Sequence, residues 1–176
     1  ISLESRQGIV VDNFSSRGNN GYVLRRITQK SLMAFQETLD YDLIILQFGL
    51  NVIDPRLKDF SWYERQLNKV IAHFQEALPE VPILLVGVSD KGVRINGQMQ
   101  TDPSVPLITE TQRQVAEQHQ IAFLSLYRIM GGQGTMVHWV NREQPRLANL
   151  DYTHFNFRGG KVISDLLLEE LMTAYE

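Results

Sequence analysis

Two apolar runs constrain this chain more than any other feature: the middle of Asp42–Phe48, Leu43-Ile44-Ile45-Leu46, and the segment Val81–Val88. Neither alternates apolar with polar residues, as a strand with one wet face does. Strands that are apolar without a break belong to a parallel sheet covered on both faces. A parallel pair needs a crossover, and the residues between the two runs supply one. Ser61 reads as an N-cap, with Glu64 completing a capping box. Tyr63, Leu67, Val70, Ile71, Phe74 and Leu78 then fall on one helical face before Pro79 ends the helix.

The same alternation extends along the chain. Gly8–Val11, Gly-Ile-Val-Val, reads as a further buried strand, followed by the polar loop Asp12–Gly21. An amphipathic helix is predicted from Tyr22 to about Leu39. After the long loops Gly49–Phe60 and Ser89–Pro103 come a helix over about Val105–His119, a short strand Ile121–Leu124, and an irregular glycine-rich segment, Met130–Met136. A last helix spans about Arg158–Ala174. There is no internal repeat. One domain over residues 1–176 is expected, an open and mostly parallel α/β sheet whose functional loops lie beyond the C-terminal ends of the strands.

Composition excludes several classes of function. With a formal net charge of -3 and no basic stripe, nucleic acid is not an expected partner. The absence of cysteine removes disulfides and thiolate metal sites. The 4 histidines show no metal-ligand spacing, so neither metal nor cofactor is expected. No apolar run is long enough for a membrane span. The chain opens on Ile1-Ser2-Leu3-Glu4 rather than an initiator Met, and a cut end is the expectation.

Three loops carry residues suited to chemistry. In Asp151-Tyr152-Thr153-His154, a carboxylate sits within one turn of chain of an imidazole; it can fix the tautomer and leave the other ring nitrogen as a base. The same four residues also read as a turn leading into a helix. Gln47-Phe48-Gly49-Leu50-Asn51 follows a strand directly and presents an amide that can donate to an oxyanion or satisfy its own turn. Arg17-Gly18-Asn19-Asn20-Gly21 joins a strand to a helix, and its N–H groups can form an anion-binding nest or a plain turn.

In the order Gly loop, Gly-x-Asn, Asp-x-x-His, these loops resemble the conserved blocks of the SGNH (GDSL-type) hydrolases. The resemblance runs from about Gly8 to the C-terminus. It implies a three-layer α/β/α, flavodoxin-like fold. It also implies a serine ester hydrolase in which Asp151 and His154 are the acid and base and Gly21 and Asn51 form the oxyanion hole. Gly18, Asn20, Leu50 and Met136 would line the pocket. The implied substrate is an acylated carbohydrate bearing acetyl or other small acyl groups. The Asp151–Gly160 run and the Met-Gly-Gly segment are similar to those of extracytoplasmic bacterial members, so a periplasmic or secreted location is implied.

Two positions depart from the family pattern. Val52 stands where the family has Asp, and the first block, Gly-Asp-Ser, is missing. The family's first strand would carry the nucleophile and lie centrally in the sheet. A βαβ unit needs about 30 residues, and far fewer precede Gly8. Ser15, Ser16 and Ser89 do not match the nucleophile position. The expectation is therefore a nucleophile outside this chain, on an upstream segment that fills the gap in the sheet. The rival readings are a non-catalytic domain that binds a glycan or a partner protein, and a flavodoxin-like domain binding an anion at Gly18–Gly21. Trp62, Tyr63 and Trp139 are read as packing residues rather than sugar platforms. Met130–Met136 is read as a mobile wall or a passive connection.

Overall fold

The computed structural model describes residues 8–15 and 18–175. Its centre is a three-stranded parallel sheet in the order β1 (Ile44–Gln47), β2 (Ile83–Val86), β5 (Ala122–Leu124). β2 is the middle strand and all four of its residues are buried. Its side chains alternate between two separate cores, as the two-residue period of a strand requires. Ile83 and Leu85 face a core built from α1 (Gln29–Leu39), α2 (Ser61–Ala77) and α3 (Ser104–Gln118), with Leu67, Ile71, Phe74, Val105 and Ile108. Leu84 and Val86 face the other core, formed by α4 (Leu126–Ile129), α5 (Thr135–Asn141) and α6 (Phe157–Tyr175), with Leu126, Met136, Trp139 and Ile163. The result is the expected three-layer α/β/α arrangement.

The predicted strand Gly8–Val11 does not form. Residues 8–11 lie in no strand, and Ile9, Val10 and Val11 are 84%, 60% and 78% exposed. An apolar run becomes a buried strand only where a neighbour accepts its ladder hydrogen bonds. Among the described residues no strand lies beside residues 8–11 to accept them. β1 pairs with β2 alone and is an edge strand. Its Leu46 is buried against α2, while Ile45, pointing to the opposite face, is 51% exposed.

Three local readings are corrected. The helix predicted from Tyr22 is broken: Tyr22–Arg26 is a 3-10 turn, Ile27 and Thr28 are extended, and the Thr28 hydroxyl accepts from Ser31 N to start α1. Ser61 is not the N-cap but the first residue of α2; Phe60 is the N-cap, and the Asp59 carboxylate before it accepts from Ser61 N at 2.9 Å and Oγ at 2.8 Å. The long loop Ser89–Pro103 contains an antiparallel hairpin of β3 (Gly92–Ile95) and β4 (Gln98–Thr101). Its turn residues Asn96 and Gly97 have φ of 51° and 81°, the pairing that an Asn-Gly hairpin turn favours.

The central strand supplies a stability test. Leu85 is 0% exposed, so Leu85→Ala is expected to lower the unfolding free energy by about 2–5 kcal/mol in chemical denaturation. Ile45→Ala, at a half-exposed edge position, should change it by less than about 1 kcal/mol.

Candidate active site

The segment before α6 is a closed turn. Ala148 and Phe155 form an antiparallel bridge, Asn149 N donates to His154 O at 2.9 Å, and Tyr152 N donates to Asn149 O at 3.1 Å. Asn156 then starts α6, its Oδ1 accepting from Arg158 N at 3.0 Å and Gly159 N at 3.1 Å. Within this turn Asp151 is fully engaged. Its Oδ1 accepts from Thr153 N at 2.9 Å and His154 N at 3.0 Å, and its Oδ2 lies 2.8 Å from His154 Nδ1. Partial burial pushes the Asp151 carboxyl upward. The His154 amide, the His154 imidazole and the Thr153 amide outweigh that and hold it below the usual carboxylate range. An ionised Asp151 accepts the Nδ1 proton, which leaves the Nε2 lone pair on an exposed ring as a base.

A second cluster lies past the C-terminal end of β1. Leu50–Val52 form a 3-10 turn, and Asn51 Nδ2 donates to Asn19 O at 3.0 Å. The Asn19 carboxamide in turn accepts from Gly21 N at 2.8 Å, so Gly21 and Asn51 meet around one residue. Position 21 accepts glycine alone: its φ is 89°, and a Cβ there would lie 2.9 Å from the Phe48 ring. The Gly21 N–H is thus held by Asn19, whereas Asn51 Nδ2 has a second hydrogen beyond the one on Asn19 O.

The other predicted residues divide. Gly18 is exposed, Asn20 Oδ1 accepts from Tyr22 N at 3.4 Å, and Leu50 is half-buried against the α2 core. Met136 does not line a pocket. It is 0% exposed inside the second core, because α5 begins at Thr135 and turns its side chain inward. Ser89 is buried, and Ser15 is exposed with its amide on Asn13 Oδ1; Ser16 and Arg17 lie outside the described residues. No described serine hydroxyl bonds to His154. Tyr63 and Trp139 are core residues, while Trp62 is 52% exposed and packs edge-on against Tyr22. The glycine-rich segment is tied rather than loose: Gly131 N reaches Arg128 O, Gly132 N reaches Tyr127 O, and Gly134 N reaches Thr101 Oγ1. Among the described residues, no group of three or more His, Asp or Glu is arranged to hold a metal. No helix there is long and apolar enough to cross a membrane.

Asp90 is the residue the sequence reading passed over. It is 0% exposed and directly follows the apolar run of β2 and Ser89. Burial pushes its carboxyl above the usual range, against donors from Met136 N, the Thr101 hydroxyl and Lys91 N. An Asp closing a fully buried strand was the available signal. Tyr152, at φ 54°, was also missed; its hydroxyl donates to Asn141 Oδ1 at 2.8 Å.

A sequence model of the GDSL-like lipase/acylhydrolase family matches residues 2–162. The chain belongs to that family. No curated protein sequence matches it. Its fold is similar to that of a peptidoglycan O-acetylesterase, at 24% identity and a TM-score of 0.69 over 83% of this chain; that match spans only 40% of the acetylesterase's length. An acetyl xylan esterase is similar at 17% identity and a TM-score of 0.54, over 81% of this chain and 75% of its own. A carbohydrate esterase family 3 protein from Talaromyces cellulolyticus is similar at 12% identity and a TM-score of 0.58, over 89% of this chain and 68% of its own. These similarities establish the layered fold that the GDSL-like membership implies.

The Asp151 carboxyl sets an expectation for acid stability. Its folded-state pKa is depressed, so the interaction stabilises the fold fully above the unfolded carboxylate value near ~3.9 and is lost as pH falls through the folded value. The stability difference between wild type and Asp151→Asn should be constant above about pH 5 and shrink below about pH 4. Denaturant midpoints across that range measure it; a difference that grows on acidification would contradict the assignment.

Proposed function

We propose that this chain carries the acid, base and oxyanion donors of a serine ester hydrolase that removes acetyl or other small acyl groups from carbohydrate. The observation that carries the reading is the 2.8 Å contact between His154 Nδ1 and Asp151 Oδ2, which leaves Nε2 exposed as a base. In this reaction His154 Nε2 takes the proton of a serine hydroxyl as Oγ bonds to the ester carbonyl carbon. The free N–H of Asn51 donates to the resulting oxyanion. The Gly21 N–H joins it once the Asn19 carboxamide swings off. Collapse breaks the bond to the alcohol oxygen, which leaves with the proton from His154. Water then adds to the acyl-enzyme with His154 again as base, releasing the carboxylic acid and the serine.

The nucleophilic serine is proposed to lie outside residues 1–176, on a strand that pairs with the open edge of β1. Support comes from that edge itself, from the half-exposed Ile45 beside it, and from the exposed Ile9, Val10 and Val11, which such a strand would pair and cover. The acetylated-carbohydrate substrate is supported by the similarity to a peptidoglycan O-acetylesterase and an acetyl xylan esterase. It is also supported by a groove of about 460 Å³ between β4 and α5, whose walls offer Gln133, Asn141 and Arg142 to a hydroxyl-rich ligand. Asn141 joins that groove to the Asp151–His154 turn through Tyr152. A substrate of this kind fits an extracytoplasmic location.

The test uses the full-length protein and p-nitrophenyl acetate. His154→Ala is expected to lower kcat by about 10³-fold or more, and Asn51→Ala by about 10²–10³-fold. Unchanged turnover in His154→Ala rules out the mechanism. Absence of turnover in the wild type favours the rival reading, a non-catalytic glycan-binding domain.

A further inference from the structure

Neither cluster of the site hydrogen-bonds to the other directly among the described residues; both are reached from Asp90, Lys91 and Gly92, a few residues past β2. Asp90 anchors these residues. Its Oδ2 accepts from Met136 N at 2.8 Å and its Oδ1 from Lys91 N at 2.9 Å. Asp102 N, at the far end of the hairpin, donates to Lys91 O at 2.8 Å. From this anchored base two arms extend. Lys91 Nζ donates to Ile53 O at 3.3 Å, just past the Asn51 turn. Gly92 N donates to Tyr152 O at 2.7 Å, inside the Asp151–His154 turn. The second arm is sterically exact in its demand: a Cβ at position 92 would lie 2.7 Å from Tyr152 Cβ. Tyr152 cannot easily retreat, because its hydroxyl is bound to Asn141 and its backbone is already in the left-handed region.

We propose that Asp90, Lys91 and Gly92 form a positioning bracket that fixes the separation of the Asn51 turn from the Asp151–His154 turn. The proposal rests on the esterase reading for its kinetic consequence but not for its geometry. All three are positioning residues; none touches a reacting atom. A bracket is needed because, among the described residues, no hydrogen bond joins the two turns directly, and a displacement of about 1 Å between base and oxyanion donor can cost ~10²-fold in rate. A buried carboxylate with no salt bridge is held by its hydrogen bonds, so its environment must keep the Met136 and Lys91 amides in place.

The experiment substitutes each arm in the full-length protein and reads both turns. Lys91→Met keeps the aliphatic stem and removes the ammonium. It is expected to shift the NMR signals of the Asn51 carboxamide and of the His154 imidazole together. It should also lower kcat about tenfold, with KM within about threefold. Gly92→Ala should shift the same signals and lower kcat about 100-fold. If Gly92→Ala does not fold, Lys91→Met alone decides. Movement confined to Asn51 in Lys91→Met, with His154 unmoved, overturns the bracket whatever the rate. If the wild type lacks esterase activity, the functional reading fails, while the paired shifts still support or overturn the bracket.

Discussion

The pairing of β2 between β1 and β5 is the constraint on which the rest of the structure depends. A strand whose side chains are apolar on both faces can be buried only if layers cover both, and its backbone can be buried only if both edges are paired. Leu85 and Ile83 gather α2 and α3 on one side, while Leu84 and Val86 gather α5 and α6 on the other. The parallel register then delivers the ends of β1, β2 and β5 to one edge of the sheet. The Asn51 turn follows the end of β1, and the Asp90–Gly92 segment follows the end of β2 and carries the Asp151–His154 turn through Gly92.

Where the sheet stops, the polarity of the structure changes abruptly. Val88 is followed by Ser89, buried, and by Asp90, a carboxylate with no access to solvent. Its cost of burial is offset by amide donors from α5 and from its own neighbour. The hairpin, the glycine-rich segment and the Asp151–His154 turn are thereby drawn onto the end of the central strand. The opposite flank of the sheet lacks such closure. Among the described residues β1 pairs on one side only, Ile45 is exposed, and the apolar residues 9–11 lie in no strand. An edge of this kind is an invitation to pair.

Much of this was legible in the residues. The unbroken apolar runs dictated parallel strands and two covering layers, and the Asp-x-x-His spacing placed a carboxylate against Nδ1 with no help from tertiary structure. The order of the three loops pointed to the GDSL-like family. Other features depend on distant partners and were not legible. Gly8–Val11 has the composition of a strand, yet strand formation requires a neighbour's free edge. Met136 lies beside a flexible-looking glycine run, but the helix starting at Thr135 turns it into the core. The Asn96-Gly97 turn was readable and was overlooked because its flanking residues, Val93 to Ile95 and Gln98 to Thr101, alternate too weakly to announce strands. Nothing in the sequence around Asp90 names Met136, 46 positions away, as its partner.

The account turns on an acid and base whose nucleophile is supplied by a strand at the open edge of β1. The most direct measurement is to label the full-length protein with a fluorophosphonate, which reacts with activated serines, and to locate the modified residue by mass spectrometry. The account predicts a single labelled serine outside residues 1–176, with labelling lost in His154→Ala. A label on Ser15, Ser16 or Ser89, or no label at all, would contradict it.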